Sequence, residues 1–208
     1  MNDETPYTTC KQAVPMRFNT VNVATLLCAM QNRKVLVLGD VILDRFIDGA
    51  VTRISPEAPV PILSQSRIRQ MAGGAANVAC NLAQLGLHVH LIGVCGNDTA
   101  ATDLETELKA YPAIQFDPVR IKDRPTSLKT RYRSGGQQIL RVDDEITIDI
   151  DDRDAKNALT MATAALDDAD LMVISDYGKG ALPLPLLDQI IATAKAKGKH
   201  IVADPKRK

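Results

Sequence analysis

The chain alternates between short runs of apolar residues and longer stretches in which apolar positions recur at helical spacing. Continuous apolar runs of this length are typical of strands buried on both faces of a parallel sheet. Such strands are predicted at residues 34–39, 88–94, 171–175 and 199–203. Helices are predicted at residues 74–85, at residues 98–109, from Asp151 onwards, and up to Gly198. This alternation predicts an α/β fold on a mostly parallel sheet.

Two regions interrupt the alternation and predict a smaller, separate sheet. Residues 41–64 mix β-forming residues with several prolines, which exclude a central strand with a complete hydrogen-bond ladder and favour edge strands and loops. Residues 127–133 and 137–143 are alternating runs around a glycine pair, the pattern of a β-hairpin. We therefore predict lid strands within residues 41–70 and 117–143.

Residues 1–30 predict a loose arm followed by a short helix, and residues 31–208 make up the remaining domain. The arm is rich in polar residues, and apolar positions take up helical spacing only from Val21 onwards. Asp3 and Glu4 stand where a signal peptide needs positive charge, and the apolar stretch after Val21 is too short to span a membrane. We expect a cytoplasmic protein.

Composition narrows the class of ligand. The 208 residues carry 25 Lys and Arg against 25 Asp and Glu, so no basic field favours nucleic acid or a membrane surface. The cysteines are Cys10, Cys28, Cys80 and Cys95. They include no CxxC pair, so we expect reduced thiols. His88 and His90 share one predicted strand without a third ligand at suitable spacing, so we predict no metal site. A small molecule or a protein is the expected partner.

Polar residues directly after the predicted strands are the first candidates for a site, because ligands bind beyond the carboxyl ends of strands in open α/β sheets. Asp44 offers a carboxylate that can accept two hydrogen bonds from sugar hydroxyls. Gly73 and Gly74 stand at a predicted helix start, where backbone N–H groups face a ligand, and Asn77 adds an amide. A tight turn that needs glycine only for its backbone angles explains the pair equally well.

Cations form the second part of the candidate site. Lys129, Arg131 and Arg133 are two residues apart on one predicted strand, so their side chains share a face, and Arg141 lies on the next strand. Such a row suits a phosphate, although charged residues also guard exposed strands against aggregation. Further candidates follow the later strands: Asp176, Lys179 and Lys206.

Six ordered segments carry a family resemblance. They are VLVLGDVILDRF (35–46), RISPEAPVPIL (53–63), GGAANVACNLAQLG (73–86), LIGVCGND (91–98), SDYGKGAL (175–182) and VADPKRK (202–208). Together they resemble the ribokinase superfamily of carbohydrate kinases over about residues 30–206. The SPEAPVP and SDYGKG segments resemble, more narrowly, the heptose-7-phosphate kinase domain of the bifunctional heptose kinase and adenylyltransferase of bacterial lipopolysaccharide synthesis.

The resemblance implies a three-layer α/β/α core with a β-sheet lid, and phosphorylation of D-glycero-D-manno-heptose 7-phosphate at C1 by ATP and Mg²⁺. It implies that Asp44 holds sugar hydroxyls and that Gly73, Gly74 and Asn77 line the sugar site. It also implies cations that contact either the 7-phosphate or the transferred phosphate: Lys129, Arg131, Arg141, Lys179 and Lys206. Because lid strands commonly pair subunits in this family, it implies a homodimer through the lid.

The sequence departs from the family pattern after the DPK segment. The magnesium-associated NxxE motif, the DTxGAGD motif with the catalytic aspartate, and most of the ATP site are expected beyond it. We therefore expect a C-terminally incomplete kinase domain with no catalytic base in these 208 residues and negligible activity on its own. Two alternatives stay open: a non-catalytic remnant that binds sugar phosphate or only dimerises, and a kinase for another sugar or sugar phosphate.

Overall fold

The computed structural model describes residues 23–206. The helices are α1 (Val23–Met30), α2 (Ala75–Gln84), α3 (Thr99–Leu108), α4 (Asp152–Asp168) and α5 (Leu184–Ala196). The strands are β1 (Lys34–Gly39), β2 (Val41–Ile54), β3 (Pro61–Gly74), β4 (His88–Cys95), β5 (Ile114–Arg120), β6 (Leu128–Ser134), β7 (Gln137–Asp144), β8 (Leu171–Asp176) and β9 (His200–Pro205). The predicted arm, with Cys10, lies outside the described residues.

The central sheet has the strand order β5-β4-β1-β8-β9, and all of its strand pairs are parallel. Alternate residues of β1 belong to two hydrophobic cores, one on each face of the sheet. Val35 and Val37 pack with α2 and α3, whereas Leu36 and Leu38 pack with α4 and α5. Because both faces of β1 are covered, its sequence is continuously apolar. The predicted three-layer α/β/α architecture is confirmed.

The second sheet is the lid, with the strand order β3-β2-β6-β7 and mixed pairing. The predicted hairpin forms β6 and β7. Gly135 and Gly136 connect them with φ angles of 56° and 83°, and a two-residue turn of this kind needs left-handed residues at both positions. Within the lid, β3 ends at Gly74 and β7 ends at Asp144.

The edge-strand prediction for residues 41–64 was wrong for β2, which is an interior strand of the lid. The prolines of this region do not interrupt the hydrogen-bond ladder of β2, because Pro56 and Pro59 lie in the loop between β2 and β3. Sequence reasoning did not predict β5, whose last residues overlap the range 117–143 assigned to the lid but belong to the central sheet. This strand contains Pro118 and lies at the edge of the central sheet, where proline is tolerated.

The described cysteines have free thiols. Cys28 is exposed, whereas Cys80 and Cys95 are buried. Burial raises the pKa of both buried thiols, that of Cys95 to about 12, so they pack as small apolar groups. No helix in residues 23–206 is long and apolar enough to cross a membrane.

Asp98 connects α3 to the segment that leads into the lid. Its Oδ1 accepts a hydrogen bond from the backbone N–H of Ala101 at 2.8 Å, which caps the helix. Its Oδ2 accepts one from the backbone N–H of Thr126 at 2.7 Å, and the Thr126 hydroxyl donates to Oδ1 at 2.8 Å. Partial burial raises the pKa of Asp98, but these hydrogen bonds together outweigh it and hold the pKa below its usual value.

We predict that Asp98→Asn lowers the free energy of unfolding at pH 7 by about 1–2 kcal/mol, because an amide replaces one acceptor oxygen by a donor. Because the folded pKa of Asp98 lies below its usual value, the ionised carboxylate stabilises the fold fully at pH values above that usual pKa. The advantage of the wild type should shrink as pH falls through the folded pKa. Urea unfolding at pH 7 and pH 3 measures it, with the exposed Asp123→Asn as control. Equal stabilities at pH 7 would contradict the prediction.

Candidate functional site

A cavity of about 460 Å³ lies where the lid meets the carboxyl ends of the central strands. Its lining residues come from β2, β3, α2, β6, β7 and the loops after β7, β8 and β9: Ile42, Asp44, Gly73, Gly74, Asn77, Lys129, Arg131, Arg141, Asp143, Glu145, Tyr177, Lys179 and Lys206. Nine of the ten residues predicted from sequence are among them. Asp176 is the exception. It is only 4% exposed, and its Oδ1 accepts a hydrogen bond from the backbone N–H of Gly178.

Asp40, directly after β1, organises the floor of this cavity. Its carboxylate is 2% exposed and accepts backbone hydrogen bonds from Tyr177 at 2.7 Å, Lys179 at 3.1 Å and Ala181 at 3.2 Å. Its own carbonyl accepts the N–H of Ala75 at the start of α2. One buried residue therefore fixes the loop after β8 and the first turn of α2.

Opposing effects act on the pKa of Asp40. Burial raises it, the three N–H donors lower it, and the nearby Asp176 carboxylate raises it further, so that the pKa lies above its usual range. The resulting cost of ionisation is opposed by the hydrogen bonds to residues 177–181. These bonds hold Tyr177 and Lys179 against the cavity.

The two glycines at the end of β3 are required for different reasons. Gly74 has a φ of 56°, and any side chain there would collide with the carbonyl oxygen of Asp40. Gly73 has ordinary φ, but a Cβ atom would collide with the carboxylate of Asp44. Gly74 is thus needed for the backbone, whereas Gly73 leaves room for the Asp44 carboxylate beside the cavity.

Carboxylates already pair with the cations that line the lid side of the cavity. Arg131 pairs with Asp44, and Arg141 pairs with Asp143 at 2.8 Å. Lys129 also contacts Asp143, at 2.9 Å. The site therefore contains a network of ion pairs and not a row of unpaired cations.

Glu145 joins the lid to the core within this network. Its carboxylate lies 3.0 Å from the amine of Lys129 on β6 and also contacts the amine of Lys179 in the loop after β8. The three side chains are only 13–14% exposed. Partial burial raises the pKa of Glu145, but the two lysines outweigh it and hold the pKa below its usual range.

Arg124 positions the segment that carries Glu145. Its guanidinium donates to the carbonyls of Ile148 at 2.9 Å and Ile146 at 2.8 Å, and also to the carbonyl of Lys179. Burial lowers the pKa of Arg124, and the Asp40 carboxylate opposes that effect. Sequence reasoning did not select Arg124, because nothing in its local pattern distinguishes it from a solvent-exposed loop arginine.

Sequence reasoning also missed the acidic half of the site. Asp143 and Glu145 follow Arg141 in the run VDDE, which resembles a solvated loop. The available signal was their position at the end of a hairpin strand whose partner carries Lys129. Asp40 was visible as the first polar residue after β1, but its partners are the backbone of a segment more than 130 residues away.

Comparisons with known proteins identify the family to which the chain belongs. The model of the pfkB family of carbohydrate kinases matches residues 32–208. The chain belongs to this family. Its members transfer a phosphoryl group from ATP to a carbohydrate.

Curated relatives include the bifunctional protein HldE of Azorhizobium caulinodans, 44% identical over 184 residues, and that of Gluconobacter oxydans, 43% identical over 175 residues. The matched regions cover 88% and 84% of this chain, but only 38% and 36% of the relatives. The chain thus spans little more than a third of the length of these proteins.

Solved structures show the same fold at low identity. A possible 1-phosphofructokinase from Thermotoga maritima matches with a TM-score of 0.66 and 20% identity, covering 82% of this chain and 53% of that one. A carbohydrate kinase from Agrobacterium tumefaciens matches with a TM-score of 0.62 and 24% identity, with the same coverage. A ribokinase from Cryptococcus neoformans var. grubii in complex with ADP matches with a TM-score of 0.52 and 19% identity, covering 84% and 50%.

We predict that Asp40→Ala lowers the free energy of unfolding by about 2 kcal/mol or more, because three buried N–H groups lose their acceptor. Amide hydrogen exchange at Tyr177, Lys179 and Ala181 should accelerate more than exchange in β4. Urea unfolding and exchange measured by NMR test both effects, with the exposed Asp188→Ala of α5 as control. Unchanged exchange in residues 177–181 would refute the assigned role.

Proposed function

We propose that this chain forms the acceptor-sugar site of an ATP-dependent kinase for D-glycero-D-manno-heptose 7-phosphate. The reaction transfers a phosphoryl group to the C1 hydroxyl and gives the 1,7-bisphosphate, a step towards ADP-heptose for lipopolysaccharide. The observation that carries the proposal is the cavity in which Asp44, Gly73 and Asn77 face the lid cations. The 43–44% identity to proteins named HldE supports the choice of sugar.

The polar groups of the cavity match the two chemical parts of such an acceptor. In the proposed complex, Asp44 accepts hydrogen bonds from sugar hydroxyls, as an ionised carboxylate does well. Gly73 allows the sugar to approach the backbone, and Asn77 at the start of α2 adds an amide. The surrounding cations balance the charge of the acceptor phosphate. Together these contacts orient the C1 hydroxyl.

The metal and nucleotide parts of the reaction are not assigned to these residues. Within residues 23–206, no group of three or more His, Cys, Asp or Glu side chains is placed to hold a metal ion. His88 and His90, which share β4, supply no such group, and His90 hydrogen-bonds to Asp117 at 2.7 Å. We therefore assign no Mg²⁺ ligand among the described side chains and derive no step through the ion.

A homodimer through the lid is part of the proposal. The face of the lid opposite Asp44 carries exposed apolar side chains, among them Ile68, Leu140 and Val142, at 51%, 54% and 46% exposure. Strand pairing brings Leu140 opposite Tyr132, and Ile68 opposite Ile47. An apolar row of this kind on a lid sheet suits contact with a second copy of the same sheet.

We predict that Asp44→Asn weakens binding of D-glycero-D-manno-heptose 7-phosphate to the 208-residue protein at least about tenfold, because a charged acceptor of hydroxyl bonds is lost. Binding of the unphosphorylated heptose should weaken by a similar factor. Isothermal titration calorimetry measures both, with the exposed Asp123→Asn as control. If the wild-type protein binds neither sugar, or the variant binds both as tightly as the wild type, the sugar site is assigned wrongly.

A second prediction concerns turnover. We expect the 208 residues alone to transfer phosphoryl groups from ATP to heptose 7-phosphate at a negligible rate, because the acceptor side alone does not supply the charge stabilisation that phosphoryl transfer needs. A coupled assay for ADP release with Mg²⁺ present measures the rate. Turnover of about 1 per second or faster, the ordinary range for kinases, would refute this expectation.

A further inference from the structure

One row of side chains crosses the lid just beyond the cavity. Arg69 of β3 and Arg131 of β6 both lie opposite Phe46 of β2. Directly paired residues share one face of a sheet, and so do residues two apart along a strand. Phe46 therefore lies on the same face as Asp44, and the two arginines flank it on that face. Arg131 lines the cavity, whereas Arg69 is outside its lining.

A third arginine completes the group. Arg133 lies opposite Asp48 and next to the same aromatic ring. The guanidinium carbons of Arg69, Arg131 and Arg133 lie 5.6, 5.3 and 5.9 Å from the centre of the Phe46 ring. We call these three residues the outer arginine cluster. Attraction between the cations and the ring holds their side chains close to the sheet and close to one another.

Carboxylates pair with the outer arginine cluster but do not exhaust its donors. Asp48 contacts Arg69 at 3.1 Å and Arg133 at 3.5 Å, and Asp44 contacts Arg131. A guanidinium has several N–H donors in a fork that matches the oxygens of a phosphate. Three arginines face two carboxylates, so positive charge remains for an anion.

The lysines of the cavity form ion pairs that are less exposed than those of the arginines. The amines of Lys129 and Lys179 both contact Glu145, and Lys129 also contacts Asp143. These contacts are largely shielded from water, since the two lysines are 13% and 14% exposed. The side chains of Arg69, Arg131 and Arg133 are more open, at 42%, 21% and 28% exposure, so an anion reaches their remaining N–H donors without breaking an ion pair that is shielded from water.

We propose that the outer arginine cluster, and not the Lys129–Lys179 pair, binds the phosphate of the acceptor sugar. Arg69 and Arg133 are then specificity-determining residues, and Phe46 is a positioning residue. The ligand group is a phosphomonoester dianion. This inference rests on the proposed function, because the sugar is placed at Asp44.

The geometry of β2 also sets the distance that must separate the bound hydroxyls of the ligand from its phosphate. Phe46 is two residues beyond Asp44 on β2, a distance of about 7 Å along a strand. A sugar whose hydroxyls bind Asp44 places its phosphate on the cluster when the phosphate is on the far end of the carbon chain. The cluster therefore selects terminal phosphates of long sugars over phosphates next to the bound hydroxyls.

The test is calorimetric titration of the 208-residue protein with three probes: D-glycero-D-manno-heptose 7-phosphate, the unphosphorylated heptose and inorganic phosphate. The variant is Arg69→Gln combined with Arg133→Gln. The matched control is Arg53→Gln combined with Arg153→Gln, which removes the same charge at exposed positions of β2 and α4. We expect the variant to bind the sugar phosphate at least tenfold more weakly, with free heptose unchanged within twofold.

Each outcome of this titration decides a stated point. Equal affinity of wild type and variant for the sugar phosphate overturns the inference, and so does an equal loss with the control. A loss of the same size for free heptose also overturns it, because the effect is then on the fold. If the wild type binds neither sugar, the proposed function fails, and the inorganic phosphate titration alone decides whether the cluster is an anion site.

The role of Phe46 has its own readout. Phe46→Leu keeps an apolar side chain but removes the ring face that attracts the guanidinium groups. It should weaken sugar-phosphate binding severalfold without changing the affinity for free heptose, and Phe46→Tyr should restore the binding. Failure of the tyrosine variant to restore affinity assigns Phe46 to packing alone and removes its positioning role.

Discussion

The carboxylate of Asp40 is buried where the end of β1, the start of α2 and the loop after β8 meet. A buried acid that accepts three backbone hydrogen bonds fixes the path of a loop that has no regular structure of its own. That loop carries Tyr177 and Lys179, and the start of α2 carries Asn77. The core half of the cavity therefore depends on one side chain that does not itself line the cavity.

The lid half of the cavity depends on a different constraint, the balance of charge across paired strands. Each cation that faces the cavity from β6 or β7 has a carboxylate partner, and Glu145 extends this pairing to the loop after β8. Pairs of this kind are weak when exposed but stronger when shielded from water. The network thus adds polar contacts between the lid and the core to the apolar contacts that Leu43 of β2 makes in the first core.

The proposed sugar-phosphate site connects the two halves of the cavity. Asp44 belongs to the lid strand that continues directly from β1 past Asp40, so Asp44 lies only a few residues beyond the side chain that holds the loop after β8. Beyond Asp44, the same strand carries Phe46, and the arginines lie beside this ring on the neighbouring strands β3 and β6. The proposed ligand, with hydroxyls at one end and a phosphate at the other, therefore matches the chemistry of groups on β2 and its two neighbouring strands.

The sequence by itself determined the layers of the fold and much of the site. β1, β4 and β8 are rich in apolar residues because both of their faces are buried, and Asp44, Gly73 and Asn77 were predicted as site residues because ligands bind beyond the ends of such strands. Only the tertiary structure decided which residues face one another in the lid. A bulge in the hairpin between Tyr132 and Arg133 shifts the register by one residue, so that Arg131 lies opposite Arg141 and Lys129 opposite Asp143.

Without that bulge, Arg131 would lie opposite Leu140, and the ion pairs of the site would not form. Alternation along a strand records which face a residue occupies, but the identity of its partner depends on the register, and a single extra residue changes the register without leaving a pattern in the sequence. The same limit applied to Asp40 and Arg124, whose partners are distant backbone atoms. A sequence indicates the burial of such residues only weakly, and it does not show which atoms become their hydrogen-bond partners in the fold.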